Sequence, residues 1–253
     1  MKIKYVANLS FGKDSLCMCL KLIDLGYPLD EIIFFSTGMD FPCIDEMVKK
    51  FSDYCLEKGV KFTVIEPDKP FEWYMTEKLV TKRDGSIQKG YGFCSNKCRF
   101  GTGLKIQAIN RYYKSYGDVC IVQYIGCCID EQKRLRHERS NNAVNLYPLA
   151  EWGMTEADCL KFCREKGWNW MVGDVDLYDI LDRVSCWCCG NKNLKELRAI
   201  YKYLPETFEK LKILQDKIGM PFRDGKTVYD LEERFKLEES QMTIWDMVNK
   251  GAV

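Results

Sequence analysis

Residues 3–65 alternate short apolar runs with helical periodicity, and this alternation constrains the fold more than any other feature of the chain. Ile3–Leu9 reads as a strand. Asp14–Leu25 reads as a helix, with Leu16, Cys19, Leu20 and Ile23 on one face and Gly26 as its stop. Glu31–Phe35 is a short apolar run that suits a buried strand. Cys43–Lys58 is helix-periodic and ends at Gly59, and Lys61–Ile65 is a third strand. That order predicts an α/β domain with a doubly wound parallel sheet and right-handed crossovers. Residues 66–101 break the rhythm with Pro, Gly, Trp and Tyr, and read as an inserted long loop that carries function. Leu104–Tyr116 is a predicted helix, Val119–Ile125 a fourth strand and Ala143–Leu149 an extended segment. Thr155 caps a further helix, with Asp158 as its capping-box partner and Gly167 as its end. Residues 186–253 are mostly helical in pattern, with a break at Gly219–Gly225. The expected organisation is a nucleotide-binding α/β domain over residues 1–150, with the basic loop 66–101 inserted in it. A mostly helical C-terminal region, 151–253, carries a cysteine cluster and packs on that domain.

Composition narrows the class. A chain of 253 residues, 46% apolar and 30% charged, can bury a core without staples and is not a disordered polymer. No apolar run approaches the roughly 18 residues that span a bilayer, so no membrane partner is expected. The opening residues, MKIKYVANLS, carry no secretory signal. The fourteen cysteines are therefore expected to be reduced thiols in the cytoplasm, some of them holding a metal. A net charge of +1 argues against a general nucleic-acid coat. Cys17, Cys19, Cys55, Cys120, Cys159 and Cys163 lie inside apolar-periodic segments and read as small buried hydrophobes. Cys127 and Cys128 are adjacent, so at most one of them faces a cleft.

Ser10-Phe11-Gly12-Lys13-Asp14-Ser15 joins the first strand to the first helix. Open α/β sheets bind ligands there, at the carboxyl ends of their strands. Gly12 lets the backbone approach a phosphate, and the helix N-terminus offers free N–H groups and a positive dipole end. Ser10 and Ser15 add hydroxyls and Lys13 adds charge. Asp14 can hold a Mg²⁺ that bridges phosphates. The Walker pattern is absent. The same residues also suit an ordinary strand-to-helix turn with Ser and Asp as caps.

Two further clusters stand out. Cys94 and Cys98 form one close pair, and Cys186 and Cys189 form another, with Cys188 between them. Two such pairs far apart are the usual way to build a four-thiolate site, which suits Zn²⁺ or a 4Fe–4S cluster equally. Buried cysteine without metal is the plainer alternative. Residues 82–114 contain eight basic side chains against one acid, Asp84. Lys82, Arg83, Lys89 and Arg99 are expected to meet an anionic acceptor, and Tyr91, Phe93, Phe100, Tyr112 and Tyr113 are interleaved with the charges and suit base stacking. A solvated face with core aromatics is the competing reading. Asp130, Glu131 and Arg134 follow the fourth strand and face the same cleft, where carboxylates can position Mg²⁺ or substrate, or merely cap a turn. His137 is expected at the surface.

The loop resembles the SGGxDS pyrophosphate loop of the N-type ATP pyrophosphatases, and the wider chain resembles the phosphoadenosine phosphosulfate (PAPS) reductase family of that superfamily. The resemblance rests also on Ser36-Thr37-Gly38-Met39-Asp40, on Tyr124-Ile125-Gly126 with Asp130-Glu131 and Arg134, on Tyr147-Pro148-Leu149 with Glu151-Trp152-Gly153-Met154-Thr155, and on Arg183-Val184-Ser185-Cys186-Trp187-Cys188-Cys189. It implies an adenine nucleotide α-hydrolase-like fold and an ATP-binding enzyme that cleaves ATP to adenylate and pyrophosphate to activate an acceptor for sulfur transfer. It implies catalysis by Asp14 and Lys13, with nucleotide held by Ser10, Phe11, Gly12, Lys13, Ser15, Ser36, Thr37, Gly38, Gly126 and Asp130. The acceptor, a tRNA, a DNA or a nucleotide, would meet Lys82, Arg83, Lys89, Arg99 and Arg134. ATP, Mg²⁺, a sulfur-donor protein and a 4Fe–4S cluster or Zn²⁺ on Cys94, Cys98, Cys186 and Cys189 complete the expectation. Phe11 departs from the usual glycine. The retained Asp14 favours ATP, and the ending Asn249-Lys250-Gly251-Ala252-Val253 lacks the Glu-Cys-Gly-Leu-His tail of the reductases. A sulfonucleotide reductase without that tail, and a nucleotide-binding sensor or assembly subunit without turnover, are the alternative readings.

Overall fold

The computed structural model describes residues 2–94, 98, 101–135, 143–223 and 225–241. Its strands are β1 (Lys2–Leu9), β2 (Glu31–Phe35), β3 (Lys61–Ile65), β4 (Leu79–Thr81), β5 (Ile87–Lys89), β6 (Val119–Ile125), β7 (Ala143–Leu146), β8 (Met171–Val172) and β9 (Val175–Asp176). Its helices are α1 (Lys13–Asp24), α2 (Pro42–Glu57), α3 (Phe71–Thr76), α4 (Gly101–Lys114), α5 (Pro148–Glu151), α6 (Glu156–Glu165), α7 (Leu177–Ile180), α8 (Leu194–Tyr203), α9 (Pro205–Ile218) and α10 (Val228–Ser240).

Five strands form one parallel sheet in the order β3-β2-β1-β6-β7. The chain adopts the expected doubly wound α/β fold. Side chains alternate across a strand, and β2 shows how both faces are covered. Ile33 packs with Ile109 and Tyr113 of α4, beside Val6 and Ile121. Its neighbour Phe34 meets Phe11, which in turn meets Phe51 of α2 and Phe62 of β3. A strand covered on both faces reads as an unbroken apolar run, and β2 is buried throughout. Pro42 starts α2, and α6 starts with the capping box between Thr155 and Asp158 that the sequence predicts.

The strand order reverses between β1 and β6. That places the loop after β1 and the loop after β6 side by side at the carboxyl edge of the sheet, the ordinary ligand crevice of such folds. Gly126, just past β6, permits this contact. A side chain there would put its Cβ 2.7 Å from the Cα of Ser15.

The chain divides into two compact units. The first holds Met1–Phe71, Cys98–Asp179 and Arg183–Trp187, and so contains the sheet and α6. The second holds Glu72–Lys97, Ile180–Asp182 and Cys188–Val253. Within the second, α8, α9 and α10 share a core that includes Leu197, Ile200, Leu211 and Leu231, with the rings of Tyr201, Phe208 and Phe235 in contact. Where the sequence pattern offers only a long loop over 66–101, the structure builds α3 and a β4–β5 hairpin. Three-residue strands are too short to show a period of two, and Gly85, at φ +83°, turns the hairpin.

Candidate functional site

The β1–α1 loop is held from below. Phe11 adopts a left-handed backbone, φ 54°, which costs a non-glycine residue energy that its surroundings must offset. Its ring is fully buried in the aromatic cluster, and its carbonyl accepts a 2.6 Å hydrogen bond from the indole N–H of Trp170. The ring of Phe11 is therefore core, and only its backbone belongs to the loop. Tyr178 packs edge-on against Trp170 and its hydroxyl accepts from the Lys13 backbone N–H at 2.8 Å. Gly12 is the N-cap of α1 and offers no side chain of its own to cap the helix, and the Tyr178 hydroxyl takes the first helical N–H, that of Lys13. The Ser10 and Ser15 hydroxyls lie 2.9 Å apart, and Ser15 Oγ accepts from the Ser10 backbone N–H at 3.1 Å.

Charge concentrates beside this loop. Lys13 is buried, and its Nζ meets Glu156 Oε2 at 2.5 Å and lies 3.5 Å from Asp14 Oδ1. Burial works against the Lys13 charge, but Glu156 and Asp14 outweigh it and hold its pKa above the usual value. Asp14 is the reverse case. Burial raises its pKa, Lys13 opposes this, and the charges of Glu156 and Glu131 push it further up. From the loop after β6, Glu131 Oε1 accepts from Arg134 at 2.6 Å and from Arg183 at 3.0 Å. Burial opposes the Glu131 charge, yet Arg134 and Arg183 keep its pKa below the usual value. Two buried side-chain oxygens have no hydrogen-bond partner among the described residues, and both are here: Asp14 Oδ1 and Glu131 Oε2. An unpartnered buried carboxylate oxygen is costly, and a cation or a donor group on a ligand would satisfy it. Three carboxylates and three cations around a helix start whose N-cap is a glycine can hold a phosphate chain together with a divalent ion.

Sulfur lies next to these carboxylates. A carboxylate oxygen of Asp14 and the sulfurs of Cys128 and Cys159 all lie within 4.8 Å of one another, a set able to hold a metal ion. The two sulfurs are 3.6 Å apart and fully buried.

The other expected site residues are distributed as follows. Asp130 Oδ2 accepts from the Glu156 backbone N–H at 3.2 Å and so tethers the start of α6. Beyond β2, the Thr37 hydroxyl and backbone N–H both donate to Asp40 Oδ2, at 2.8 and 3.0 Å, and Gly38 supplies a left-handed turn. The Ser36 backbone N–H donates to Ile65 O. Burial lowers the pKa of Lys105, and the charges of Asp40 and Cys186 oppose this, which places a second lysine at the β2 loop. Cys98 and Cys186 belong to the first unit, where Cys98 Sγ accepts from the Gly101 N–H at 3.0 Å and Cys186 Sγ lies 3.6 Å from the Thr37 hydroxyl. Cys94 and Cys189 belong to the second, where a Cβ on Gly190 would meet Cys94 O at 2.3 Å, so the two cysteine segments run close together. The basic stretch is shared as well. Lys82, Arg83 and Lys89 are exposed on the hairpin of the second unit, with Lys89 paired to Glu77, whereas Arg111 of the first pairs with Asp68. Arg99 and His137 lie outside the described residues.

Glu156, Tyr178 and Trp170 were not legible as site residues, and neither was the Cys128–Cys159 pair. Glu156 does leave a trace, as an acid in the first turn of a capped helix. Cys159 and Cys163, four apart on α6, share one helix face.

No family model matches the chain. The chain is similar to an uncharacterized protein of Methanocaldococcus jannaschii, 29% identical over 224 residues, which cover 81% of this chain and 46% of that protein. A second uncharacterized protein of the same organism is 23% identical over 224 residues, covering 83% of this chain and 41% of its own length. The chain spans less than half the length of these curated relatives. Among the described residues, no helix is long and apolar enough to cross a membrane.

Proposed function

We propose that this chain is a cytoplasmic ATP-using enzyme of the PAPS reductase family that activates an acceptor for sulfur transfer. The observation that carries the reading is the pair of buried carboxylate oxygens without a hydrogen bond, Asp14 Oδ1 and Glu131 Oε2, beside the glycine-capped start of α1 at the crevice of a doubly wound sheet. The α1 backbone, Ser10, Gly12, Ser15 and Lys13 take the β and γ phosphates. Lys13 exchanges Glu156 for phosphate oxygen as they enter. Asp14 and Glu131 hold the Mg²⁺ that neutralises the phosphate charge. The acceptor attacks the α phosphorus, the bond to the β phosphate breaks and pyrophosphate leaves. A sulfur nucleophile from a donor protein then displaces AMP. Fixed donors facing the developing charge supply most of the rate. Gly38, Ser36 and Thr37 line the nucleoside end.

Pyrophosphate release from ATP, with and without Mg²⁺ and with tRNA, DNA or no acceptor, tests the reading. Asp14→Ala should fold and lose Mg²⁺-dependent cleavage. Cleavage by that variant at the wild-type rate rejects the role given to Asp14. The basic side chains of the hairpin serve the acceptor: replacing Lys82, Arg83 and Lys89 with Ala should weaken nucleic-acid binding and flatten its salt dependence, with ATP affinity unchanged. Equal loss of both affinities would move these residues into the nucleotide site.

A further inference from the structure

Four fully buried cysteines line the underside of the β1–α1 loop: Cys17 on α1, Cys128 after β6, and Cys159 and Cys163 on α6. Cys128 and Cys159 are 3.6 Å apart, Cys17 lies beside Cys159 and Cys163, and the Cys163 thiol donates to the Lys13 carbonyl at 3.4 Å. Cysteine used only as a small hydrophobe would pack against apolar groups. Here two of the sulfurs converge on a carboxylate that has a buried oxygen without a hydrogen-bond partner. The Lys13 ammonium pairs with this carboxylate only at 3.5 Å and makes its closer contact with Glu156, at 2.5 Å.

We propose that Asp14, Cys128 and Cys159 form a zinc-binding site directly beneath the loop. The separations fit the ion. Zinc–sulfur bonds of about 2.3 Å in a tetrahedron place two sulfurs about 3.8 Å apart, and the observed 3.6 Å needs little adjustment. The donor set fits as well. Two thiolates and one carboxylate select zinc over Mg²⁺ and Ca²⁺, which take oxygen ligands. Three protein ligands leave a fourth position open, the pattern of reactive rather than purely structural zinc. The ion would tie α1, α6 and the loop after β6 together at the crevice edge, and would offset the charge of the buried carboxylate. Asp14 has two oxygens, which allows it to hold this ion and the Mg²⁺ of the proposed ATP reaction together. The zinc site does not depend on that reaction, because it is read from bound metal and not from turnover.

The test uses the full-length, reduced, metal-stripped chain and zinc sulfate alone. Ser at Cys186 and Cys189 removes two ligands of the other expected thiolate centre and provides the background. One zinc per chain should remain in that background, and cobalt(II) in its place should give sulfur-to-metal charge-transfer absorption. Adding Cys128→Ser and Cys159→Ser should abolish both signals. Asp14→Asn should weaken zinc binding at least as much as loss of an outer-shell partner does, roughly 10–100-fold. Cys17→Ser should retain the metal. A second measurement needs no variant: zinc should protect Cys128 and Cys159 of the wild-type chain from alkylation in mild denaturant, read by peptide mass mapping. Zinc content unchanged by the Cys128/Cys159 replacements, no zinc bound in the background, or equal alkylation of the two thiols with and without zinc would each overturn the site. ATP cleavage without zinc binding would leave the proposed function standing and reject this site alone.

Discussion

The two ends of the central sheet each bury carboxylate charge, and they treat it in opposite ways. At the amino end Glu31 of β2 is fully buried and fully served. Its oxygens accept from Thr63, Tyr112 and Tyr116 at 2.6, 2.6 and 2.8 Å, and Lys4 and Lys61 lie 3.1 and 3.0 Å away. Burial opposes the charge, but these partners outweigh it and lower the pKa from 4.5 to about 2. At the carboxyl end Asp14 and Glu131 each keep an oxygen with no hydrogen-bond partner; the Asp14 pKa rises, while Arg134 and Arg183 hold that of Glu131 down. A satisfied buried charge stabilises the fold it sits in. An unsatisfied one costs stability, and the cost is recovered when something binds. The difference separates a structural anchor from a site.

The largest expected effect lies under the site, because the unsatisfied end must be held rigid by the core. Phe11→Ala removes a fully buried ring from contact with Phe34, Phe51 and Phe62 while keeping the strained backbone. A loss of about 3–5 kcal/mol in denaturant unfolding is expected. Phe11→Gly relieves the φ 54° strain and should lose about 1 kcal/mol less than Phe11→Ala. Equal losses for the two variants would mean that the backbone strain contributes nothing.

Next comes the anchor itself. Glu31→Gln keeps the shape of the side chain and removes its charge, and a loss of about 2–3 kcal/mol is expected at pH 7. The sign with pH follows from the lowered pKa. The contribution of Glu31 is complete above its unfolded value of 4.5 and drains away as pH falls towards about 2. The wild type and the Gln variant should therefore converge in stability across that window. A gap that persisted at pH 2 would assign the loss to packing instead of charge.

The sheet was legible because its signals are local and long. β2, β3 and β6 begin and end where the apolar runs of the sequence do, and the β1–α1 loop sits where the strand-to-helix junction places it. The charge balance at the two ends was not legible. Glu31 opens an apolar strand and draws partners from β1, β3, α4 and the turn after α4, up to 85 residues away. Lys13 finds Glu156 143 residues on, and Cys128 finds Cys159 31 residues on. Phe11 looked like a loop residue at a glycine position, yet its ring completes a cluster assembled from three other elements. Such groupings depend on which elements the fold lays side by side, and no periodicity records that.

The smallest expected effect is the most diagnostic, because it reverses the sign seen at the anchor. Asp14→Asn keeps the shape and removes the charge that burial disfavours, and Lys13 retains Glu156 as its partner. In metal-free, nucleotide-free protein at pH 7 the variant should be more stable than wild type by about 1–2 kcal/mol. A carboxyl whose pKa is raised on folding costs stability only once pH exceeds its unfolded value, so the gain should vanish below pH 3.8, the ordinary value for aspartate. Zinc or Mg²⁺ with ATP should then reverse the order, since a ligand that requires the carboxylate stabilises only the wild type. Glu31→Gln should show neither the stabilisation nor the response to ligand. An Asp14→Asn variant that is destabilised without ligand, by as much as Glu31→Gln, would make Asp14 a second anchor and remove the distinction between the two ends.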